Sequence, residues 1–373
     1  MKKIVILGQS NVTEEATRNT ILCAAFAIHA DKIEDCTIKF GFAPPGTSPH
    51  IKLFYALLFT PLRWGSILFK YYQIKDHDAI FVPYPSYLDG WIGCILGKLK
   101  HKKVIIDGFL GIYDTIVRDR KIFKEESLIA QIIWQYEKLF LSSADHILVD
   151  TQLNGEMLQK DYDLPKGKIK IIPVGIDEDL WKPVKLPDTS KFKVIFWCTF
   201  IPLHGADIVA KAAHLLEKQR PDIEFLIIGT GQLSNNFDKL LKKLQLSNLK
   251  WISQFIPLKS IYALTKEAHC CLGIFGNTDK TDRVIPYKVY QALACDRPVI
   301  TARTQASQAL FTDKKDILLV SPGNPIELAN AILSLHQDPL FAAEIGKKGR
   351  FLYEKYLSCA AINQKIGGLL AQG

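Results

Sequence analysis

No Cys-x-x-Cys pair occurs in this 373-residue sequence, and none of its eight cysteines has a histidine at zinc-finger spacing. They read as small buried hydrophobes rather than a disulfide frame or a metal clasp. Low-complexity tracts are absent, and so is any repeat of roughly 20 to 50 residues, which excludes solenoids and propellers. No Gly-x-x-x-x-Gly-Lys-Ser/Thr and no Gly-x-Gly-x-x-Gly follows the first strand, so P-loop kinases and nicotinamide enzymes are disfavoured. Nucleic-acid modules are missing too: there is no zinc finger, no aromatic RNA-binding signature and no basic region with heptads. The start MKKIVILGQS is basic, but its apolar run is too brief for a secretory signal and ends in loop residues rather than a cleavage site. A reducing, cytoplasmic setting is expected.

What is present belongs to a folded protein. The chain is 48% hydrophobic and longer than one core usually organises, so two domains are expected. A net charge of +9 points to an anionic partner, which composition leaves open among nucleic acid, a phosphate-bearing ligand and the inner face of a membrane. Short Val- and Ile-rich runs alternate with longer helical patterns, the mark of parallel strands joined by crossover helices. The spacing predicts strands at KKIVIL, DAIFVPY, KKVIIDGF, HILVDT and IKIIPVG. After a polar stretch with two prolines at 177–191, the alternation restarts with FKVIFWCTF, IEFLIIG, LKWIS, CCLGIF, PVITA and ILLV. This predicts two doubly wound sheets with a boundary near residue 185.

Residues 51–74 are the most apolar and aromatic stretch. Pro61 and the basic Lys52, Arg63 and Lys70 argue against a spanning helix. Two readings remain open: a pair of helices packed on the N-terminal sheet, or a face resting on anionic lipid with Trp64, Tyr71 and Tyr72 at headgroup level.

The segment LGIFGNTDKTDRVIPYKVYQALACDRPVIT, 272–301, reads as strand, polar loop, helix, strand. Pro286 suits the first helical turn, and the helix opens right after the loop. Its free amides and dipole, with Arg283 in the loop and Lys288 in the first turn, favour a diphosphate. Gln291 lies on the same face as Lys288, where its amide would reach a ribose hydroxyl.

This segment resembles the donor-binding signature of retaining GT-B glycosyltransferases close to family 4, in which a Lys-x-x-Glu-Ala-hydrophobic-Ala helix precedes Pro-Val-Ile; here it stands as KVYQALACDRPVI. PVGID at 173–177, PLHGADIVAKAA at 202–213, IIGTGQ at 227–232 and NPIELANAILSL at 324–335 follow the family order. The resemblance implies an α/β GT-B fold, two Rossmann-like doubly wound domains facing a central cleft. It assigns 1–180 to an acceptor-binding domain, 181–345 to a nucleotide-sugar-binding domain, and 346–373 to a helix crossing back, expected over about 341–368. The implied function is transfer of a sugar from a nucleotide-diphosphate sugar to an acceptor hydroxyl with retention, in synthesis of glycan, glycolipid or cell-surface polysaccharide. The donor is substrate, and no cofactor or catalytic metal is expected. Implied partners are that donor and a glycan or lipid-linked acceptor, with no nucleic acid; peripheral contact to anionic membrane through 51–74 rests on the second reading of that stretch.

Departures bear on the site. The family's diphosphate-clamping Arg and Lys fall on Thr199 and His204, its ribose-contacting Glu on Gln291, and an acidic partner on Arg283. The reading is a subgroup in which Arg283 and Lys288 replace the missing cations, the alternative a degenerate site. A phosphate role for His204 would require donation from a ring nitrogen. Gly205, Pro286 and Tyr287 complete the donor set. Gly229, Thr230 and Gly231 would let a nucleotide approach backbone amides, or form a plain turn. Phe255 would pack on a nucleobase, or in the core.

In the N-terminal half, Ser10 and Asn11 follow the first strand and would face donor phosphates, or take part in acceptor binding. Asp107, Tyr113 and Asp114 are implied acceptor residues. Asp107 is the first choice for orienting or deprotonating the acceptor hydroxyl, with capping of the next turn as the alternative. Asp89 is the second choice. The triplet Asp177-Glu178-Asp179 imitates a metal-binding Asp-x-Asp but lies at the linker. Other functions kept open are a GT-B-like nucleotide-sugar 2-epimerase, a non-catalytic nucleotide-sugar sensor and a membrane scaffold.

Overall fold

Buried runs such as AIFV at Ala79–Val82 and VITA at Val299–Ala302 have no polar face, so strands of this kind need helices on both sides. The structure, a computed structural model, describes residues 2–9, 17–38 and 49–371. The chain divides into two compact units, Met1–Pro173 with Ile362–Gly373, and Val174–Ala361.

The first unit holds β1 (Lys3–Gln9), β2 (Lys32–Ile38), β3 (Ala79–Val82), β4 (Lys103–Asp107), β5 (His146–Val149) and β6 (Ile169–Ile171). All pair in parallel, in the order β2-β1-β3-β4-β5-β6. Its helices are α1 (Thr17–His29), α2 (Pro49–Tyr72), α3 (Gly90–Lys100), α4 (Leu128–Ser143) and α5 (Gln152–Tyr162). Where two helices were expected, α2 is continuous across Pro61. Arg63, Ile67 and Tyr71, at four-residue steps, are its buried side. Glu137 of α4, also buried, accepts from the Ile112 and Tyr113 amides at 2.9 and 2.8 Å and from the Tyr162 hydroxyl at 2.8 Å. It anchors the π-helical turn Asp114–Asp119 to α4 and α5.

The second unit holds β7 (Phe192–Trp197), β8 (Ile223–Ile228), β9 (Leu249–Ile252), β10 (Cys270–Leu272), β11 (Val299–Ala302) and β12 (Leu318–Val320). They form a parallel sheet of order β12-β11-β10-β7-β8-β9. Its helices are α6 (Ala206–Glu217), α7 (Ser234–Leu244), α8 (Leu258–Lys266), α9 (Asp279–Arg283), α10 (Tyr287–Ala294), α11 (Gln305–Leu310), α12 (Pro325–Gln337) and α13 (Pro339–Tyr356). The single C-terminal helix expected over about 341–368 is instead α13 and α14 (Cys359–Ala371), parted at Leu357–Ser358. Within the first unit, α14 lies on α1, with the His29 ring donating to the Asn363 carbonyl at 2.8 Å.

Among the described residues no helix is long and apolar enough to cross a membrane, and no cluster of His, Cys, Asp or Glu could hold a metal ion.

Candidate functional site

In the second sheet the connections run from β7 to β8 and β9 on one side and from β10 to β11 and β12 on the other. The carboxyl ends of β7 and β10 are therefore the point where winding reverses, the place an open parallel sheet leaves free for a ligand. The loops leaving these strands are locked together: the Phe275 amide donates to the His204 carbonyl and the Gly276 amide to the Leu203 carbonyl, both at 3.1 Å. Gly205, at φ +66°, passes so close that a Cβ there would lie 2.7 Å from the Gly276 nitrogen. Only glycine combines that backbone turn with that approach.

Lys288 is the centre of this place. It follows Tyr287 in the first turn of α10, is 4% exposed, and its Nζ has no hydrogen-bond partner among the described residues. The ammonium sits 3.9 Å above the Phe196 ring of β7. Burial pulls its pKa from 10.5 to about 8, with the Cys198 thiol a smaller opposing influence. A buried cation with a π face on one side and no acceptor is a site built for an anion.

His204 stands beside it. Its Nδ1–H donates to the Thr199 carbonyl, which sets the tautomer and leaves Nε2 with a lone pair. Burial, followed by the Lys288 charge, pushes the ring down to about 3, so the imidazole is neutral. In this state the neutral ring donates through Nδ1 and offers an acceptor at Nε2, so donation to a phosphate oxygen would require Nε2 to be protonated. Thr199 is exposed and contributes its carbonyl.

Gln291, 5% exposed, accepts from the Trp197 indole Nε1 at 3.2 Å. Trp197 in turn stacks on Trp181, ring centroids 6.2 Å apart and 10° from parallel. The indole pins the carboxamide oxygen and turns the NH₂ side to other partners. Pro286 is the N-cap of α10 rather than part of its first turn, and Tyr287 is half-buried. Arg283 closes α9, half-buried.

Two amides of the Gly229-Thr230-Gly231 turn are in use. The Gly229 amide donates to the Ile252 carbonyl at 2.9 Å and that of Gly231 to the Ser234 hydroxyl at 2.7 Å, while Thr230 Oγ1 also meets Ser234. Its glycines serve close packing instead: at φ +128° a Cβ on Gly229 would fall 1.9 Å from the Cys198 oxygen. Gly229→Ala is therefore expected to destabilise the protein by about 2–4 kcal/mol, read as a lowered urea midpoint. Phe255 is 63% exposed, so the core reading of that ring is set aside.

The expected acceptor residues fare differently. Asp107 is fully buried, and Arg18 binds its carboxylate by two nitrogens, Nε at 3.1 and 3.0 Å from the two oxygens and Nη2 at 3.0 Å from Oδ1. Burial pushes this carboxyl up; Arg18 and a hydrogen bond from the Phe109 backbone pull it down. No oxygen is left for a substrate, so the general-base expectation is corrected to a structural pair that also carries the turn. Asp89, 1% exposed, pairs through Oδ1 with the buried Arg63, 3.2 Å away. Tyr113 and Asp114 are buried in and beside the π-helical turn. Ser10 and Asn11 lie outside the described residues. Sequence reasoning missed Arg18, Phe196 and Trp197; each stands in or next to a periodic run that reads as ordinary helix or strand.

Known proteins match this architecture. Residues 21–180 match the model of Glycosyltransferase Family 4, and residues 177–351 that of Glycosyl transferases group 1. Anabaena Alr3699/HepE, solved with UDP and glucose, superposes with a TM-score of 0.72 at 15% identity, covering 100% of both chains. Sucrose-phosphate synthase from Thermosynechococcus elongatus gives 0.71 at 19% identity, over 100% of this chain and 99% of the other. The chain is a GT-B, family-4-like protein.

Among curated relatives, the family-4-like chain is 23% identical over 224 residues to D-inositol 3-phosphate glycosyltransferase of Pseudarthrobacter chlorophenolicus, covering 57% of this chain and 52% of that protein. It is 22% identical over 203 residues to the GDP-mannose-dependent alpha-(1-6)-phosphatidylinositol monomannoside mannosyltransferase of Mycolicibacterium smegmatis, covering 50% and 52%. The chain spans about half the length of the curated relatives it matches. At the two positions where the resemblance places clamping cations, this family-4-like chain has Thr199 and His204 bonded to each other.

Proposed function

We propose that the protein is a glycosyltransferase that takes a sugar from a nucleotide-diphosphate sugar and passes it to an acceptor hydroxyl with retention, without a catalytic metal, in glycan, glycolipid or cell-surface polysaccharide synthesis. The observation that carries the reading is Lys288, a buried ammonium lacking an acceptor at the sheet's switch point. The names of the relatives, and UDP and glucose in a neighbour of the same fold, support it.

In this reading the diphosphate completes the hydrogen bonds of Lys288 and keeps it protonated, with the amides of α10 and the Arg283 guanidinium adding positive potential. As the anomeric bond breaks, negative charge grows on the leaving diphosphate, and a desolvated ammonium stabilises it more than a hydrated one. The Gln291 NH₂ takes a ribose hydroxyl, Phe255 a base face, and His204 Nε2 accepts from a donor hydroxyl. Attack from the leaving group's own face retains configuration without a protein nucleophile.

A thermal-shift screen with UDP, GDP and ADP tests the site. One of them at about a hundred times its Kd is expected to stabilise the protein by about 2.7 kcal/mol. Its sugar conjugates should then be turned over with EDTA present, giving an axial or equatorial product matching the donor by NMR. A protein stabilised by none of the three overturns the reading, and one that binds and returns the conjugate intact is a sensor.

A further inference from the structure

Three helices of the first unit, α2, α3 and α4, combine exposed apolar side chains with the lack of any exposed carboxylate of their own. On α2, Ile51, Phe54, Leu58, Leu62, Phe69 and Tyr72 are between 45% and 90% exposed. Their steps of three, four and seven residues set them along one side of the helix, opposite Arg63, Ile67 and Tyr71, in a stripe of about 30 Å. Trp64 is half-buried and Tyr71 buried, so neither has the headgroup position expected of it; Tyr72, at 90%, is the exposed ring.

The stripe does not stand alone. The crossovers β2 to β3, β3 to β4 and β4 to β5 all move the same way across the sheet, and right-handed crossovers place α2, α3 and α4 in one layer. Side chains tie the layer together: Arg63 of α2 pairs with Asp89 at the start of α3, and Trp91 of α3 packs on Phe140 of α4 with centroids 5.8 Å apart. Leu99 of α3 is 69% exposed, and Ile132 and Leu139 of α4 are 58% and 60%. The three helices, of 24, 11 and 16 residues, contain one acidic residue, Glu137, which is fully buried. Lys98 and Lys100 are exposed on either side of Leu99.

We infer that this three-helix layer is a docking face for an anionic lipid surface. A second copy of the chain is the poorer partner, because a two-fold interface between these helices would set lysines against lysines with no carboxylate on the helices to receive them. An anionic bilayer satisfies both components: acyl chains receive the Phe, Leu and Ile side chains, and lipid phosphates the ammonium groups.

The test is sedimentation of the whole protein with vesicles of phosphatidylcholine alone and of phosphatidylcholine mixed with phosphatidylglycerol. Binding to the mixed vesicles is expected to exceed binding to the neutral ones by at least about tenfold and to fall with salt. Leu58→Glu/Leu62→Glu should abolish it, and Lys98→Glu/Lys100→Glu should remove the preference for anionic lipid. Since these four positions are exposed, unchanged melting temperatures separate lost docking from lost folding. Absence of binding to the mixed vesicles, or equal binding by the leucine double variant, overturns the inference. So does a wild-type dimer in light scattering that the leucine variant converts to monomer.

Discussion

Lys288→Met is expected to make the protein more stable and, at the same time, unable to hold a nucleoside diphosphate. The stability gain follows from the depressed pKa. Below pH 8 the lysine is charged in both the folded and the unfolded chain, and the folded state bears the full cost of a desolvated ammonium. Between about 8 and 10.5 the folded protein has released its proton while the unfolded chain retains one, so stability rises with pH; above 10.5 it rises no further. That interval corresponds to about 3 kcal/mol. Methionine keeps the stem that packs on Phe196 and removes the charge, so urea melts should show a gain of about that size at pH 7 and almost none at pH 10.5. Binding goes the other way. Losing a charged hydrogen-bond donor in a buried place costs about 3 kcal/mol, or roughly a hundredfold in the Kd of the best nucleoside diphosphate by calorimetry. A variant that binds as tightly as the parent removes Lys288 from the site. One that binds weakly without gaining stability shows that the amine is already satisfied.

Asp107→Ala should cripple the fold rather than the chemistry. It leaves the Arg18 guanidinium, 2% exposed, without its paired carboxylate, beside the Ile172 and Pro173 carbonyls to which Nη1 donates. Breaking a buried pair from one side costs about 3–5 kcal/mol, whereas replacing both partners with apolar groups costs far less. Arg18→Met/Asp107→Leu is therefore expected to recover most of the stability lost by the single variant, a coupling that a double-mutant cycle in urea reads directly. If Asp107→Ala instead melts like the parent and loses only sugar transfer, the aspartate regains its place as the acceptor's base.

Eleven of the twelve strands among the described residues lie within the short, mostly apolar runs that the sequence marks as strands. The exception, β2, reads KIEDCTI, with Lys32, Glu34 and Asp35 interrupting the apolar pattern. It is an edge strand whose buried side chains are confined to its last three residues, so half of it has no core to declare itself by. Pro61 misled for a related reason: it is exposed, where a proline bends a helix without severing its packing face. The helix that carries Lys288 and Gln291 was legible because Pro286 and the helical spacing of YKVYQALA mark its start after a strand and loop. Asp107 was misread because a carboxylate at a strand end looks the same whether or not an arginine from a distant helix closes over it.

By itself, then, the sequence determined the two parallel sheets, the helix that carries Lys288 and Gln291, and the resemblance to family 4, since all of these rest on local periodicity and short motifs. Which charges are free and which are spent was decided only in three dimensions. Arg18 reaches Asp107 across 89 positions, Arg63 reaches Asp89 across 26, and Trp197 reaches Gln291 across 94. The energy of a buried charge depends on what stands within a few ångströms of it, and chain separation carries no record of that.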